Sequence, residues 1–168
     1  MKKLIMTTFC TLTIIAVFYA AWSDESFVTL TQSVDVDQNE LERYLTTEVM
    51  SPNFGGDVYA SYHILGTSTT RQEVYVWALL QEYYPNHQQL ERGTGMSVPI
   101  VLRIDQSTGV SRIVDHTLPR DGSYYPSDLH TLFPLRISIG IMYYPIELTN
   151  RLQHQLETEL PLPVSNEY

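Results

Sequence analysis

From Asp57 to Leu118 the chain reads as β-forming runs, some alternating apolar with polar residues, cut by polar turns, a pattern that favours an antiparallel meander. Asp57 to Leu65 places Val58, Ala60, Tyr62 and Ile64 on one side. Glu73 to Tyr84 carries Val74, Tyr75, Val76, Trp77, Tyr83 and Tyr84, which predicts a long strand buried on both faces near its middle. Ser97 to Asp105 points Val98, Ile100, Leu102 and Ile104 one way, and Val110 to Leu118 supplies a fourth strand. Gly66 to Thr70 and Gln106 to Gly109 are turns, and the polar stretch Pro85 to Gly95 is predicted to be a long hairpin loop. Short links join antiparallel neighbours, because parallel pairing needs a crossover of about a dozen residues or more. Pro99 has no N–H to give to a ladder, so its strand is expected to begin at an edge or a bulge.

Helices flank these strands. Asp37-Gln38-Asn39-Glu40 has the form of a capping box, with Asp37 capping the first turn and Glu40 reaching back. Leu41, Tyr44, Leu45 and Val49 then share one face of a helix over 37–50, ended by Ser51-Pro52-Asn53 and Gly55-Gly56. Beyond Pro119, Ser123 or Ser127 caps a short helix through Leu129, Leu132 and Phe133, stopped by Pro134. Residues 135–144 fit either period, since Ile137, Ile139 and Ile141 alternate while Ile137, Ile141 and Met142 share a helical face. Pro145 opens a final helix with a Leu148, Leu152 and Leu156 stripe and a Glu147–Arg151 pair one turn apart. The expected fold class is α+β: an N-terminal helix, a four-stranded antiparallel meander, and C-terminal helices packed on one sheet face. One domain over 37–160 follows, with a polar lead-in at 24–36 and a loose tail at 161–168.

The first 23 residues have the parts of a secretory signal: Lys2 and Lys3, an apolar run from Leu4 to Trp22, and small residues at Ala21 and Ser23. Cleavage is expected between Ser23 and Asp24, with an uncleaved N-terminal anchor as the alternative. The expected location is outside the cytoplasm of a bacterial-type cell: periplasmic, extracellular, or tethered at the outer face of the membrane. Cys10, the single cysteine, lies in this leader near the start of the apolar run, where a lipid-bearing cysteine would instead close it. The mature chain then has no thiol for disulfides, nucleophilic catalysis or zinc. Removing the leader also removes both lysines, which leaves eight arginines against 19 acidic residues, a balance of −11. No lysine remains for Schiff-base chemistry, and nucleic acid and anionic membranes are disfavoured as partners.

Three segments carry a resemblance: Val74-Tyr75-Val76-Trp77-Ala78-Leu79-Leu80-Gln81-Glu82-Tyr83-Tyr84, Gly93-Thr94-Gly95-Met96-Ser97-Val98-Pro99, and Pro119-Arg120-Asp121-Gly122-Ser123-Tyr124-Tyr125 through Leu132-Phe133-Pro134. Together they resemble small exported bacterial proteins of no assigned activity, whose shape is similar to cystatin-like or NTF2-like α+β domains. The resemblance implies export and fold, and brings no catalytic residue with it.

The loop from Pro119 to Asp128 concentrates chemistry, and Arg120, Asp121, Tyr124 and Tyr125 are its candidate ligand-binding residues. Arg120 could grip a carboxylate in two-pronged fashion, or Arg120 and Asp121 could simply brace a turn. Tyr-Tyr-Pro occurs at 83–85, 124–126 and 143–145, either as a platform for sugars or peptides or as packing at element ends. His63, His87, His116, His130 and His154 are scattered, and Asp105 and Asp115 could approach His116 across the last hairpin, although strand neighbours point to opposite faces. No zinc-protease, phosphate-loop or nucleophile-elbow motif is present, so neither metal nor cofactor is expected.

The function expected is therefore an exported, non-enzymatic binding or accessory domain. Its partner would be a peptide, a protein or a cell-envelope component, met through an open sheet face or the 119–128 loop. No nucleic acid is expected, and a membrane only if the leader is retained. The rival is a small hydrolase or isomerase with a pocket between helix and sheet and an acid–base pair from His63, His116, Asp105 and Asp115.

Overall fold

The computed structural model describes residues 36–143, 145–161 and 163–164. The leader, the Ser23–Asp24 cleavage position, the lead-in up to residue 35 and the tail from 165 onward lie outside the described residues.

Four antiparallel strands form one sheet in chain order: β1 (Asp57–Ser68), β2 (Glu73–Asn86), β3 (Gln89–Asp105) and β4 (Arg112–Thr117). Ahead of them lies α1 (Gln38–Tyr44), continued by a π-helical turn over Leu45–Val49. After them come a 3-10 turn at Gly122–Tyr124 and three helices: α2 (Tyr125–Leu132), α3 (Leu135–Tyr143) and α4 (Pro145–Glu159). The α+β class, the meander and the flanking helices agree with the pattern of the sequence.

β2 is apolar on both sides because both of its sides are covered. Val74, Val76, Ala78 and Leu80 join Leu41, Tyr44 and Leu45 in one core. Tyr75, Trp77 and Leu79 join Leu129, Phe133, Ile141, Leu152 and Leu156 in the other. α1 thus packs on the face opposite the C-terminal helices, and the middle of the sheet has no open face for a partner. Leu41 and Leu45 are fully buried, each stabilising the α1 contact by about 1.5–3 kcal/mol.

Local structure departs from the sequence pattern where a distant partner intervenes. Asp37 does cap α1, its Oδ1 accepting the Asn39 and Glu40 N–H groups at 2.7 and 3.2 Å. Glu40, however, accepts the Ile113 N–H at 3.1 Å and so ties α1 to β4 instead of closing a capping box. The Thr46 and Thr47 hydroxyls donate to backbone carbonyls of the preceding turn, at Glu42 and Arg43, where the helix widens. Neither Ser123 nor Ser127 caps α2, since Ser127 lies inside it and donates to the Tyr124 carbonyl. Residues 135–143 resolve as helix.

The stretch 85–95 is strand rather than loop. Asn86 pairs with Gln89, and His87 takes a left-handed φ of 57° in the two-residue turn between them. Its side chains are polar because the hairpin overhangs the sheet, but buried Leu90 anchors it, with its N–H donating to the Pro163 carbonyl at 2.9 Å. Residues 163 and 164 of the expected loose tail are therefore docked on β3. β3 begins at Gln89 rather than near Pro99, and Pro99 is tolerated within it because it lies opposite Trp77 before β4 begins to pair with β3 at Val101, which leaves its other side a sheet edge.

Candidate functional site

The 119–128 loop closes on itself. Arg120 Nε and Nη2 donate to Asp128 Oδ2 and Oδ1 at 2.8 and 2.7 Å, and its backbone N–H donates to Oδ2 at 2.9 Å. The two-pronged grip expected of Arg120 is thus filled from within, and it holds the Asp128 carboxyl down at about 2. The guanidinium also lies 4.3 Å from the centre of the Tyr124 ring. Tyr125 packs partly into the core on the C-terminal-helix face, while Asp121 and Tyr124 stay exposed. Of the four candidate residues, the structure joins only Arg120 and Tyr124, and the ligand of Arg120 is Asp128. Among the described residues the tyrosines likewise form no shared platform: Tyr83 is buried, Tyr84 donates to Glu91, and Tyr143 ends α3 in solvent.

The acid–base set drawn from the sequence does not converge. The His116 Nδ1 meets the Tyr44 hydroxyl at 3.1 Å on the α1 face. Asp115, its neighbour in β4, pairs with Arg103. Asp105 accepts from the Ser107 N–H and hydroxyl in the last hairpin. His63 stands opposite Trp77, on the face covered by the C-terminal helices.

A buried carboxylate went unnoticed in the sequence. Glu82 is fully buried, and its two oxygens accept the N–H groups of Asn53, Phe54, Gly56 and Thr94 at 2.9, 2.7, 3.1 and 3.2 Å. Burial works to raise its pKa, but the four backbone donors outweigh it and hold the carboxyl below its ordinary 4.5. Two residues of β3, Gly93 and Thr94, oppose this one residue of β2. A Cβ at Gly93 would stand 2.7 Å from Glu82 Oε2, and one at Gly56 would run into the Tyr83 carbonyl. The carboxylate is a structural post that fixes the loop after α1, with every oxygen occupied. Its visible signal was one acid within an apolar run, flanked in sequence by Gly55-Gly56 and Gly93-Thr94-Gly95.

A concavity lies between the sheet and the last two helices. It holds about 310 Å³, at the small end of the roughly 300–1,000 Å³ range of small-molecule sites. β1 contributes His63 and Leu65, β2 contributes Trp77, α3 contributes Gly140 and Ile141, and α4 contributes Glu147, Leu148 and Arg151. Leu65 is an extra residue in β1, bulged between the Ile64–Val76 and Gly66–Tyr75 pairs. At Gly66 the next residue of β1 comes close to α3, since a Cβ there would touch Ile137 Cδ1 at 3.0 Å. Gly140, in mid-helix, is the opposite case: a Cβ there would meet nothing within 4 Å.

The charges of this cleft lie at its rim. Burial, and then the Arg151 cation nearby, hold the His63 pKa below 6.5, so its imidazole is neutral at neutral pH. Glu147 and Arg151 are one turn apart on α4, yet their expected ion pair is absent: among the described residues neither side chain has a hydrogen-bond or ion-pair partner. The floor is apolar, because the Trp77 indole N–H is already given to Ser97 Oγ at 2.9 Å, and Ser97 in turn meets Thr149 Oγ1 at 2.7 Å. Elsewhere on this face Ser61 is buried with no partner for its hydroxyl among the described residues. Compared with known proteins, the chain matches no family model, no curated protein and no solved structure.

Proposed function

We propose that this is an exported, non-enzymatic binding domain that seats an apolar group of its partner in the cleft between the sheet and α3–α4. The observation that carries the reading is Gly140. A glycine inside a helix costs roughly 0.5–1 kcal/mol against alanine, and no neighbouring atom requires one here. Gly140 lines the cleft with Trp77 and Ile141, at a position where a side chain would find open space. Export rests on the leader, and a peptide, a protein or a cell-envelope component remains the class of partner.

The 119–128 loop supports the fold rather than this role, since Arg120 is spent on Asp128. One observation favours a small hydrolase or isomerase as the second reading, namely that His63 and Glu147 line the same cleft. A general acid–base pair would need such neighbours.

Trp77 reports on the cleft directly. The chain has two tryptophans, so Trp22→Phe leaves Trp77 alone whether or not the leader is removed. Isoamyl alcohol, a small neutral apolar probe, is expected to change Trp77 emission in this protein and not in the same chain carrying Gly140→Phe. An equal response in both proteins, or no response in either, defeats the reading. N-terminal sequencing of exported material tests localisation, with Asp24 expected first and Met1 found if the leader is an anchor.

A further inference from the structure

We infer that the cleft takes an α-amino acid with an apolar side chain and both of its ends free. The inference rests on the cleft being a binding seat, and it puts a free amino acid there in place of an apolar group carried by a larger partner.

Glu147 and Arg151 project from adjacent turns of α4 at a spacing where opposite charges normally pair, with Cβ atoms about 5–6 Å apart. Here both residues line the cleft, and neither side chain makes a hydrogen bond or ion pair with any described residue, Arg151 acting only on His63 through its charge. The rim therefore offers one anionic and one cationic group side by side, above a floor of Leu65, Trp77, Ile141 and Leu148. A ligand bearing a carboxylate alone would satisfy Arg151 and set a like charge against Glu147. An amine alone would satisfy Glu147 and face Arg151. An α-amino acid carries ammonium and carboxylate on one carbon, so it answers both groups at once and leaves its side chain directed at the floor.

Two further features fit this class. The Trp77 N–H is satisfied by Ser97, so the floor has no polar demand and selects an apolar side chain. His63, kept neutral beside Arg151, can donate to or accept from the ligand's carboxylate or ammonium without adding a full charge to the rim.

The test uses the Trp22→Phe chain and follows Trp77 emission on titration with leucine, isocaproate (leucine without its amine), isoamylamine (leucine without its carboxylate), N-acetyl-leucinamide and isoamyl alcohol. Leucine is expected to bind about tenfold or more tightly than any of the others, since each charge-assisted contact is worth a factor of this size. Arg151→Gln should erase the advantage of leucine over isoamylamine, and Glu147→Gln its advantage over isocaproate. Both residues are exposed, so neither change threatens the fold. If isocaproate, isoamylamine or the blocked amide equals leucine, the amino-acid proposal is overturned. If isoamyl alcohol binds, is excluded by Gly140→Phe and matches leucine, the seat stands and the proposal falls. If no compound alters Trp77 emission, seat and proposal fall together.

Discussion

Glu82 Oε1 accepts the Phe54 backbone N–H at 2.7 Å from a side chain that water does not reach, so a loop 28 residues earlier in the chain is held by a buried anion. Three other backbone N–H groups share that carboxylate. Glu82→Gln keeps the shape but replaces one acceptor oxygen with an NH2 that faces backbone donors. Its melting temperature should fall by several degrees, because unmade buried hydrogen bonds cost more than made ones return. The pH dependence has a definite sign. The folded protein holds the carboxyl below 4.5, so the unfolded chain binds more protons in the window beneath that value. The stabilisation is fully present above 4.5 and is lost as pH falls through the lowered folded value. Melts taken from neutral pH downward should show the gap between wild type and Glu82→Gln closing in that window. Parallel profiles would show that the carboxylate charge is not what fixes the loop.

The Arg120–Asp128 fork makes a second prediction that can be read on one residue. Asp128 titrates at about 2 in the folded protein instead of 3.8, first because of the Arg120 side-chain hydrogen bonds and then its backbone N–H. An NMR titration of the Asp128 carboxyl carbon should give that low value, and Arg120→Ala should bring it back most of the way toward 3.8. The contribution to stability has the same sign as for Glu82, present above 3.8 and lost as pH falls to about 2. The fork is solvent-facing on the arginine side, so Arg120→Ala should change the melting temperature little. It should also leave Trp77 emission unchanged, because the loop is not part of the cleft. A large change in Trp77 emission would place Arg120 in the binding site after all.

How far the chain could be read follows from where each partner lies. β2 was legible because apolarity without interruption from Val74 to Leu80 can only mean cover on both faces, and α1 and the C-terminal helices supply it. The hairpin at 85–95 does not read as strand from the sequence because its side chains are polar, while the strand lies in its backbone pairing with β2, which the sequence does not show. Glu40 satisfied the spacing of a capping box, but its partner proved to be Ile113, 73 residues away. Glu147 and Arg151 carried a pairing signal that the structure leaves unmet. The cleft itself comes from four elements, and no local pattern joins His63 and Trp77 to Gly140. Bringing those residues together is the work of the β1 bulge and of α3 packing over Gly66.

Ser61 gives a third prediction. Its hydroxyl is buried with no partner among the described residues, opposite Leu79 in β2. Burying an unpaired hydroxyl costs free energy, and Ser61→Ala removes that cost along with a single atom. The variant should be as stable as wild type or more stable, by up to about 1 kcal/mol. A loss beyond about 1 kcal/mol in denaturant titrations would reveal a hydrogen bond at that hydroxyl.

Tyr44 and His116 give a fourth. The hydroxyl–Nδ1 bond of 3.1 Å joins α1 to β4, and the rings meet edge to face at 5.8 Å. Tyr44→Phe preserves the ring contact and removes the bond. It should cost about 0.5–1.5 kcal/mol, the usual net worth of one hydrogen bond. His116→Ala should cost more, because it also removes the ring that packs against Tyr44. If both variants were as stable as wild type, α1 would be held to β4 by the Glu40–Ile113 bond and by core packing alone.

Two glycines make the last prediction, and they must respond in opposite directions. At Gly56 an added Cβ would collide with the Tyr83 carbonyl, a backbone atom that cannot swing away as the end of a side chain can. Gly56→Ala should therefore cost about 1–3 kcal/mol and loosen the loop that Glu82 holds. At Gly140 the Cβ enters open space on a helical backbone, so Gly140→Ala should stabilise the protein by about 0.5–1 kcal/mol through the entropy lost from the unfolded chain. The same methyl narrows the cleft, so the more stable variant should bind isoamyl alcohol more weakly than wild type does. Stability gained with binding unchanged would mean that the glycine serves neither packing nor the cleft. Stability gained with binding reduced is the result expected of a helix that gives up part of its own stability to keep a seat open.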